Sequence, residues 1–362
     1  MLIVSHTYRA EAIEATAAVV DALLAAGVVP VLSAEDRAEF APHVDVGLTA
    51  VLGDDVPLDQ LEAAFVLGGD GTILRAAEML RGSACPIAGV NLGHVGFLAE
   101  MESFDLGFTV EQVLAGNYTV DERLTLDVRA EHNGELLSET WALNEATVEK
   151  RRRMLEVAVG IDDHPVSVFA CDGVVLATPT GSTAYAFSAG GPIVWPSVQA
   201  LLMVPIAAHA LFNKPLVAGP DSTLTVRILP ENIGPGVMWC DGRRRTELPA
   251  GSLVTVRRSP ETVRIARLDD APFSERLVRK FDLPVSGWRG DKNGNGNGSM
   301  NGTRTANGTR NGIGTRSGTD HSARDSSLDS GFESNTNRTG DGIAERGETA
   351  ATGGLSDGEG AA

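Results

Sequence analysis

The sequence predicts an α/β N-terminal domain with a Rossmann-like parallel sheet, a mostly β, sandwich-like C-terminal domain and a disordered C-terminal tail. Three observations lead to this fold class. Strand-like and helical patterns alternate up to about residue 101, short strand patterns separated by turns follow, and hardly any aliphatic or aromatic residue occurs after about residue 291. We expect a first domain of residues 1–103 completed by 268–290, a second domain of residues 104–267, and a tail of residues 291–362.

The alternating part begins with a strand pattern at residues 2–4. A helix follows, and its apolar face is formed by Ile13, Ala17, Val20 and Leu24. Gly27 stands where a helix commonly ends. Buried-strand patterns recur at residues 28–32, 65–67 and 86–91. Because this alternation favours a parallel sheet covered by helices, we expect ligands at the carboxyl ends of its strands.

The middle of the chain changes to short strand patterns with few helical periods between them. They lie at residues 124–128, 136–142, 155–161, 166–170, 174–177, 224–228, 254–256 and 263–266. Asn133-Gly134 marks one hairpin, because both residues tolerate the positive φ angles of a two-residue turn. We therefore expect an antiparallel sandwich, followed by a short helix at residues 274–281 that packs back on the first domain.

Composition limits the classes of function. The 362 residues carry a formal net charge of −18, which argues against general nucleic-acid binding, since that binding depends on Lys and Arg. No apolar stretch reaches the ~20 residues of a membrane span, and the chain begins with a strand pattern rather than a signal peptide, so we expect a cytoplasmic protein without a membrane partner. The three cysteines lack metal-ligand spacing and are expected to be buried thiols. Two basic clusters, residues 150–153 and 243–245, either face an anionic ligand or are solvated strand ends.

The most informative motif is Gly68-Gly69-Asp70-Gly71-Thr72, which lies between a buried strand and a helix pattern. Glycines let the main chain approach a ligand closely, and the free N–H groups of a helix start favour an anion. The loop is therefore predicted to hold phosphate, with Thr72 capping the helix. A carboxylate repels phosphate unless it binds a metal or accepts a proton from a nucleophile, and both roles belong to phosphoryl transfer. The alternative for Asp70 is an ordinary helix-capping aspartate.

A second polar stretch covers residues 178–192 and combines hydroxyl side chains, glycines and the aromatic face of Tyr185. Such a run suits a nucleotide, because Tyr185 can stack on a ring while Thr183 and Ser188 form hydrogen bonds with base or amide edges. The alternative is a glycine-rich connection in which Ser and Thr cap the neighbouring turns.

These motifs resemble, in this order, those of NAD kinases. The resemblance covers residues 1–290, is closest to actinobacterial members, and rests on residues 68–72, 91–98, 142–145, 178–192 and 240–243. It implies transfer of phosphate from ATP or inorganic polyphosphate to the 2′-hydroxyl of the adenosine ribose of NAD, giving NADP, with Asp70 as general base. The GGDG loop alone is shared with diacylglycerol and sphingoid lipid kinases, so a lipid kinase with a hydrophobic acceptor pocket is the alternative. A non-catalytic dinucleotide sensor is a third hypothesis, but it would be expected to have lost Asp70.

The resemblance also implies site residues. Asn144 and Glu145 match the pair that holds the adenosine part, and Asp172 and residues 183–188 match positions that bind the base and the nicotinamide. The positions implied for NAD binding are Asp70, Gly71, Arg75, Asn144, Glu145, Arg153, Asp172, Thr183, Ala184, Tyr185, Ala186, Phe187 and Ser188. The phosphate loop is formed by Gly68, Gly69, Gly71 and Thr72. Arg243 stands where many members have Gln, and His94 and His209 are interpreted as structural.

The resemblance further implies a divalent metal ion, Mg²⁺, that is held mainly by phosphates rather than by protein ligands. The implied partners are NAD and ATP or polyphosphate. A homodimer or homotetramer is expected.

Overall fold

The computed structural model describes residues 1–93, 96–99, 101–102, 106–268 and 271–285. The tail predicted to be disordered and His94 lie outside these residues. The strands are β1 (Leu2–Ser5), β2 (Val31–Leu32), β3 (Ala50–Val51), β4 (Ala64–Leu67), β5 (Ile87–Asn91), β6 (Met101–Glu102), β7 (Thr119–Arg123), β8 (Leu126–His132), β9 (Glu135–Ala142), β10 (Glu145–Lys150), β11 (Leu155–Ile161), β12 (His164–Cys171), β13 (Gly173–Ala177), β14 (Leu201–Ile206), β15 (Leu216–Ala218), β16 (Leu224–Ile228), β17 (Gly236–Cys240), β18 (Arg244–Leu248), β19 (Leu253–Arg258) and β20 (Val263–Arg267). The helices are α1 (Ala10–Ala25), α2 (Ala34–Phe40), α3 (Asp70–Met79), α4 (Leu106–Leu114), α5 (Tyr185–Ser188) and α6 (Phe273–Phe281).

The first sheet has the strand order β3-β2-β1-β4-β5-β20-β7, with β6 also paired to β5. All its pairings are parallel except the one between β20 and β7. β1, β4 and β5 are buried along their whole length, which agrees with their continuous apolar sequences and with helices on both faces. The predicted Rossmann-like sheet is therefore confirmed, as a mixed and mostly parallel sheet.

Membership of this sheet differs from the expectation at two strands. Residues 263–266 are a strand, as predicted, but β20 belongs to the first sheet, where Ile265 pairs with Ile87 of β5. β7 also lies in this sheet, although residues 119–123 fall within the predicted second domain. A short apolar pattern predicts a strand but does not identify its partner, since strand pairing depends on residues far away in sequence. The limits of independent domains at residues 104 and 268 remain a prediction.

The C-terminal region is a sandwich of two six-stranded antiparallel sheets. Their strand orders are β15-β14-β13-β10-β17-β18 and β12-β11-β16-β19-β8-β9. Inward-facing side chains of both sheets form one buried core, and outward-facing residues alternate with them, as in β16, where Leu224, Val226 and Ile228 are buried. Asn133-Gly134 forms the predicted hairpin turn between β8 and β9, with φ angles of 52° and 83°.

Helix α6 follows β20 and packs on Phe97, which lies in the connection after β5. It also contacts Ile193 of the C-terminal region. Completion of the first domain by this helix remains a prediction. The three cysteines are buried and free, as expected, and burial raises the pKa of each thiol to about 12. None of the helices in the described part of the chain combines the length and the apolarity that a bilayer span requires.

Candidate active site

The glycine loop connects β4 to α3 at the carboxyl end of the parallel sheet. β4 ends at Leu67 and α3 begins at Asp70, with Gly69 as its N-cap residue. A Cβ at Gly68 would overlap the Thr72 hydroxyl, so the close approach of these residues requires glycine. The loop therefore presents bare main chain beside the N–H groups of the first turn of α3, an arrangement that favours an anion.

Thr72 does not cap α3, contrary to the prediction. Because the helix already begins at Asp70, Thr72 lies inside its first turn, and its N–H donates to the Gly69 carbonyl at 2.9 Å. The Thr72 side chain is buried, and its hydroxyl lies 3.2 Å from Nε2 of His6, which directly follows β1. Thr72 therefore joins the loop to the neighbouring strand.

The Asp70 carboxylate binds main-chain amides of the loop that follows β5. Oδ1 accepts hydrogen bonds from the N–H groups of Phe97 at 3.1 Å, Leu98 at 2.9 Å and Ala99 at 3.5 Å, and Oδ2 accepts from Phe97 at 3.1 Å. Gly96 lies so close that a Cβ there would overlap Asp70 Oδ1. The alternative of an ordinary helix-capping aspartate is wrong, because these amides belong to another segment and not to the first turn of α3.

The two carboxylate oxygens of Asp70 accept different numbers of hydrogen bonds. Oδ1 accepts from three amides, whereas Oδ2 shares a single one, so Oδ2 keeps more capacity to accept a further hydrogen bond or a proton. Asp70 is half-buried in the glycine loop. A carboxylate that is oriented by main-chain amides and open on one oxygen is suited to accept a proton from a nucleophile.

The Asn144-Glu145 pair lies in a turn between β9 and β10 that Asp241 holds. The Asp241 carboxylate accepts from the N–H groups of Leu143 at 2.9 and 3.1 Å, Asn144 at 2.7 Å and Glu145 at 3.3 Å, and Arg244 donates to it at 2.7 Å. Asp241 is buried, with a left-handed φ of 52° that aspartate tolerates. The sequence does not reveal this shaping role, although an Asp-Gly pair is a turn signal.

Glu145, one of the acidic residues implied for NAD binding, has a strongly raised pKa. Burial and the negative charge of Asp241 raise its pKa to about 8, whereas the backbone N–H of Tyr185 acts in the opposite direction. Oε2 of Glu145 is buried and has no hydrogen-bond partner among the described residues. Because a buried acceptor without a partner is unfavourable, this oxygen fits a hydroxyl donor of a ligand.

The hydroxyl-rich run packs directly on this turn. The Thr178 hydroxyl donates to the Leu143 carbonyl at 2.6 Å and accepts from the Gly181 N–H at 3.0 Å. Gly181 lies against the Asn144 carbonyl so closely that a Cβ would overlap it. The run is therefore more than a flexible connection, because its first residues fix the main chain that carries Asn144 and Glu145.

Tyr185 opens α5 and lies beside three acidic residues. Burial and the charges of Glu149, Glu145 and Asp172 raise the pKa of its phenol. The side chain is 39% exposed, which leaves ring surface open to a ligand. The structure thus brings together Asp172, Tyr185 and Glu145, three of the residues implied for NAD binding.

The other positions of this run differ in exposure. The Thr183 hydroxyl donates to the Thr180 carbonyl at 3.2 Å and is half-buried. Ala186 is fully buried in a small apolar cluster under α5. The half-buried and exposed members are Ala184, Phe187 and Ser188.

The two arginines implied for NAD binding lie in different settings. Arg75 forms a bidentate ion pair with Asp36, at 2.9 and 3.2 Å, and donates to the Ser5 carbonyl at 2.7 Å. These contacts tie α3 to α2 and β1. Arg153 is exposed in the turn between β10 and β11. Contact of either side chain with a dinucleotide remains a prediction.

The basic clusters have partners that were not foreseen. Lys150 forms an ion pair with Asp172 at 2.5 Å. Arg243 and Arg244 both reach Glu78 of α3, at 2.8 and 3.6 Å. The second pair of contacts links the helix that begins at Asp70 with the region that holds the Glu145 turn.

Trp141 packs beside the contacts that link α3 with the region of the Glu145 turn. The guanidinium carbons of Arg81 and Arg244 lie 4.4 and 4.5 Å from its ring centroid, a cation–π geometry. Leu143, two residues later, is buried in the core that also contains Ile73 of α3. The glycine loop and the Glu145 turn therefore share one packed core.

A cavity between β8, β9 and β19 lies apart from the candidate active site. This cavity of about 670 Å³, lined by residues of those strands, includes none of the predicted site residues.

In the ranges that the structure describes, no group of three or more His, Cys, Asp or Glu side chains is arranged to hold a metal ion.

The anion-binding loop with its oriented carboxylate, and the buried turn with its free acceptor, define a nucleotide-binding phosphotransferase. The ATP-NAD kinase N-terminal domain matches residues 1–118, and the ATP-NAD kinase C-terminal domain matches residues 143–268. The chain belongs to the NAD kinase family.

Relatives and solved structures agree with this placement. The chain is 57% identical to the NAD kinase of Leifsonia xyli subsp. xyli, with 80% of this chain and 96% of the relative covered, and 55% identical to NAD kinase 2 of Streptomyces coelicolor, with the same coverage. The fold resembles that of yeast NADH kinase complexed with NADH, with a TM-score of 0.70, 23% identity, and 79% of this chain and 88% of that chain covered. It also resembles an NAD kinase from Archaeoglobus fulgidus in complex with ATP, with a TM-score of 0.58, 24% identity, and 78% and 98% covered. The expected similarity to actinobacterial NAD kinases is confirmed.

Proposed function

We propose that this NAD kinase transfers the terminal phosphoryl group of ATP or polyphosphate to the 2′-hydroxyl of the adenosine ribose of NAD, with Asp70 as general base. The observation that carries the proposal is the buried Glu145 Oε2, which has no hydrogen-bond partner among the described residues. The ribose of a dinucleotide supplies hydroxyl donors for such an acceptor. The similarity to kinases named for NAD supports the same acceptor.

The acceptor is proposed to lie across the Glu145 turn. Oε2 of Glu145 accepts a hydrogen bond from a ribose hydroxyl, and the neighbouring Asn144 amide offers both a donor and an acceptor to the adenine edge. Tyr185 provides a partly exposed ring on which a base or the nicotinamide stacks. A lipid acceptor would have no use for these buried polar groups, so the turn disfavours the lipid kinase alternative.

Asp70 is proposed to accept the proton of the attacking hydroxyl. An alcohol is a weak nucleophile near neutral pH, and a carboxylate within hydrogen-bond reach takes its proton as the new oxygen–phosphorus bond forms. The bond between the transferred phosphorus and the bridging oxygen of the donor breaks in the same step, which leaves ADP or a shortened polyphosphate. The amides of residues 97–99 orient Asp70 and leave Oδ2 available for this proton.

A divalent cation, Mg²⁺, is proposed as the cofactor. Mg²⁺ usually keeps several waters and binds through one or two carboxylates together with substrate phosphates, so it does not need a cage of protein ligands. When bound, it neutralises the charge of the transferring phosphates. The bare main chain of residues 68–71 fits phosphates that carry such an ion. A cytoplasmic location and a homodimeric or homotetrameric state also remain predictions.

The test is to incubate the purified full chain with Mg²⁺, NAD and either ATP or polyphosphate, and to identify the phosphorylated position by ³¹P NMR. The proposal predicts a dinucleotide phosphorylated at the 2′-hydroxyl with at least one donor. A chain that produces none with either donor, yet phosphorylates a diacylglycerol, would contradict it.

A further inference from the structure

Helix α6 lies beyond the residues that the family domains match, since the C-terminal match ends at residue 268. Its apolar side chains Phe273, Leu277 and Phe281 follow one another at intervals of four residues and therefore form one stripe along the helix. Phe273 and Leu277 are buried, and Phe281 is half-buried. The stripe packs in a small apolar cluster, separate from the cores of the sheets.

Five rings meet at this place, and we call them the aromatic cluster: Phe97, Phe187, Trp195, Phe273 and Phe281. The Phe281 ring lies between two others, with its centroid 5.7 Å from that of Phe97 and 4.8 Å from that of Phe187. Phe273 lies 6.0 Å from Phe97 and 5.2 Å from Trp195. These separations are those of attractive aromatic pairs.

The aromatic cluster touches both halves of the candidate active site. Phe97 carries one of these rings, and its backbone N–H donates to both oxygens of Asp70. Phe187 belongs to α5, two residues after Tyr185, whose N–H lies against Glu145. Phe281 therefore contacts Phe97, whose amide binds the Asp70 carboxylate, on one side and Phe187, in the helix that Tyr185 opens, on the other.

We propose that Phe281 is a positioning residue for phosphoryl transfer, which acts by fixing the Phe97 amide against the Asp70 carboxylate. This inference rests on the proposed role of Asp70. Removal of the Phe281 ring leaves Phe97 free to shift, and a displacement of about 1 Å at a reacting group can cost about 10²-fold in rate. Because Phe281 also contacts Phe187 of α5, a smaller effect on NAD binding accompanies the loss in rate.

The experiment compares Phe281→Ala with the parent enzyme in full-length chains. We expect kcat to fall by about 10- to 100-fold, with a clearly smaller rise in KM for NAD through the contact of Phe281 with Phe187. Phe281→Tyr, which keeps the ring, should restore most of kcat. Leu283→Ala is the matched control, because it removes an exposed apolar side chain two residues away, outside the cluster.

A double-mutant cycle separates positioning from packing. If Phe281 acts through Asp70, Phe281→Ala should lower kcat much less in an Asp70→Asn background than in the parent, because the carboxylate it positions is already gone. Equal losses in both backgrounds, or an unchanged kcat in Phe281→Ala while Asp70→Asn is inactive, would overturn the inference and leave the proposed base intact. Near-normal turnover of Asp70→Asn alone would instead refute the proposed base and, with it, the reason for positioning.

Discussion

Asp70 and Glu145 are both carboxylates at the start of a regular element, yet their surroundings are opposite. Asp70, at the start of α3, is half-buried and accepts hydrogen bonds from three amides of a different loop. Glu145, at the start of β10, is buried, and one of its oxygens has no partner within the described residues. The first carboxylate is oriented by the protein, whereas the second has an oxygen that fits a ligand. This difference supports the proposal that Asp70 takes part in the chemistry and Glu145 in binding.

The two carboxylates also differ in what supports them. The loop after β5, whose amides bind Asp70, packs through Phe97 on α6, near the end of the described chain. The Glu145 turn depends on Asp241, whose carboxylate collects three main-chain amides and Arg244. Substitutions of these residues should therefore affect different parameters.

Replacement of the proposed base should have the largest effect. Asp70→Asn keeps the size of the side chain and can still accept amide hydrogen bonds, but it removes the proton acceptor, so kcat should fall by about 10²- to 10⁴-fold. The measurement is the steady-state rate of NADP formation. Asp54→Asn, on an exposed turn, is the control and should leave the rate unchanged. Near-normal turnover in Asp70→Asn would remove this residue from the role of base.

Replacement of Asp241, whose carboxylate holds the Glu145 turn, should destabilise the fold. Asp241→Asn weakens three buried hydrogen bonds and the ion pair with Arg244, and should lower the free energy of unfolding by about 2–4 kcal/mol. Urea denaturation monitored by fluorescence measures this change. Asp221→Asn is the control, because its pair with Arg258 is exposed and should contribute less than about 1 kcal/mol. Equal effects of the two substitutions would contradict the role of Asp241.

Replacement of the buried acceptor should weaken binding. Glu145→Gln can keep an oxygen near the Tyr185 amide but offers a donor where Oε2 now stands, so KM for NAD should rise by about 10- to 30-fold when measured above the pKa of about 8, where the parent side chain is ionised. Glu135→Gln, exposed at the start of β9, serves as the control and should bind NAD normally. A KM equal to that of the parent would show that the ribose does not contact this oxygen.

The raised pKa of Glu145 makes stability depend on pH in a defined direction. Between its ordinary value of 4.5 and its folded value of about 8, the native state holds a proton that the unfolded state has lost. The stability linked to Glu145 is therefore fully present below pH 4.5 and is lost as the pH rises through 8. The Tm of Glu145→Gln relative to the parent should increase from pH 5 to pH 9 in the absence of ligands. A difference in Tm that is constant with pH would contradict the raised pKa.

The smallest effect is expected from removal of the tail. Residues 291–362 contain few apolar side chains that could add to a core, so truncation after Gly290 should leave both turnover and Tm nearly unchanged. Activity assays and thermal melts of the two chains provide the comparison. A large loss of either would show that the tail has a structural or regulatory role.

Local sequence patterns predicted much of the fold. The strand limits at residues 155–161 and 224–228 match β11 and β16, and Gly27 has the positive φ of 72° expected after a helix, because alternation and turn chemistry depend on neighbouring residues. The sheet membership of β20 was not predictable in this way, since it depends on β5, more than 170 residues earlier in the chain.

The same distinction applies to the site. The glycine loop, the Asn144-Glu145 pair and the hydroxyl-rich run stand out because their composition is unusual for a core. The pairing of Arg75 with Asp36, the hydrogen bonds from residues 97–99 to Asp70, and the action of Asp241 on the Glu145 turn are contacts between distant segments. No local pattern reveals such contacts.

The proposed separation of chemistry at Asp70 from binding at Glu145 is tested most directly by equilibrium binding of NAD. It is measured by isothermal titration calorimetry without a phosphate donor, above the pKa of about 8 of Glu145, where that side chain is ionised. The Kd of Asp70→Asn should lie within about threefold of the parent value, whereas that of Glu145→Gln should be at least about 10-fold higher. The reverse pattern, with weak binding in Asp70→Asn and parental binding in Glu145→Gln, would contradict the separation of chemistry from binding.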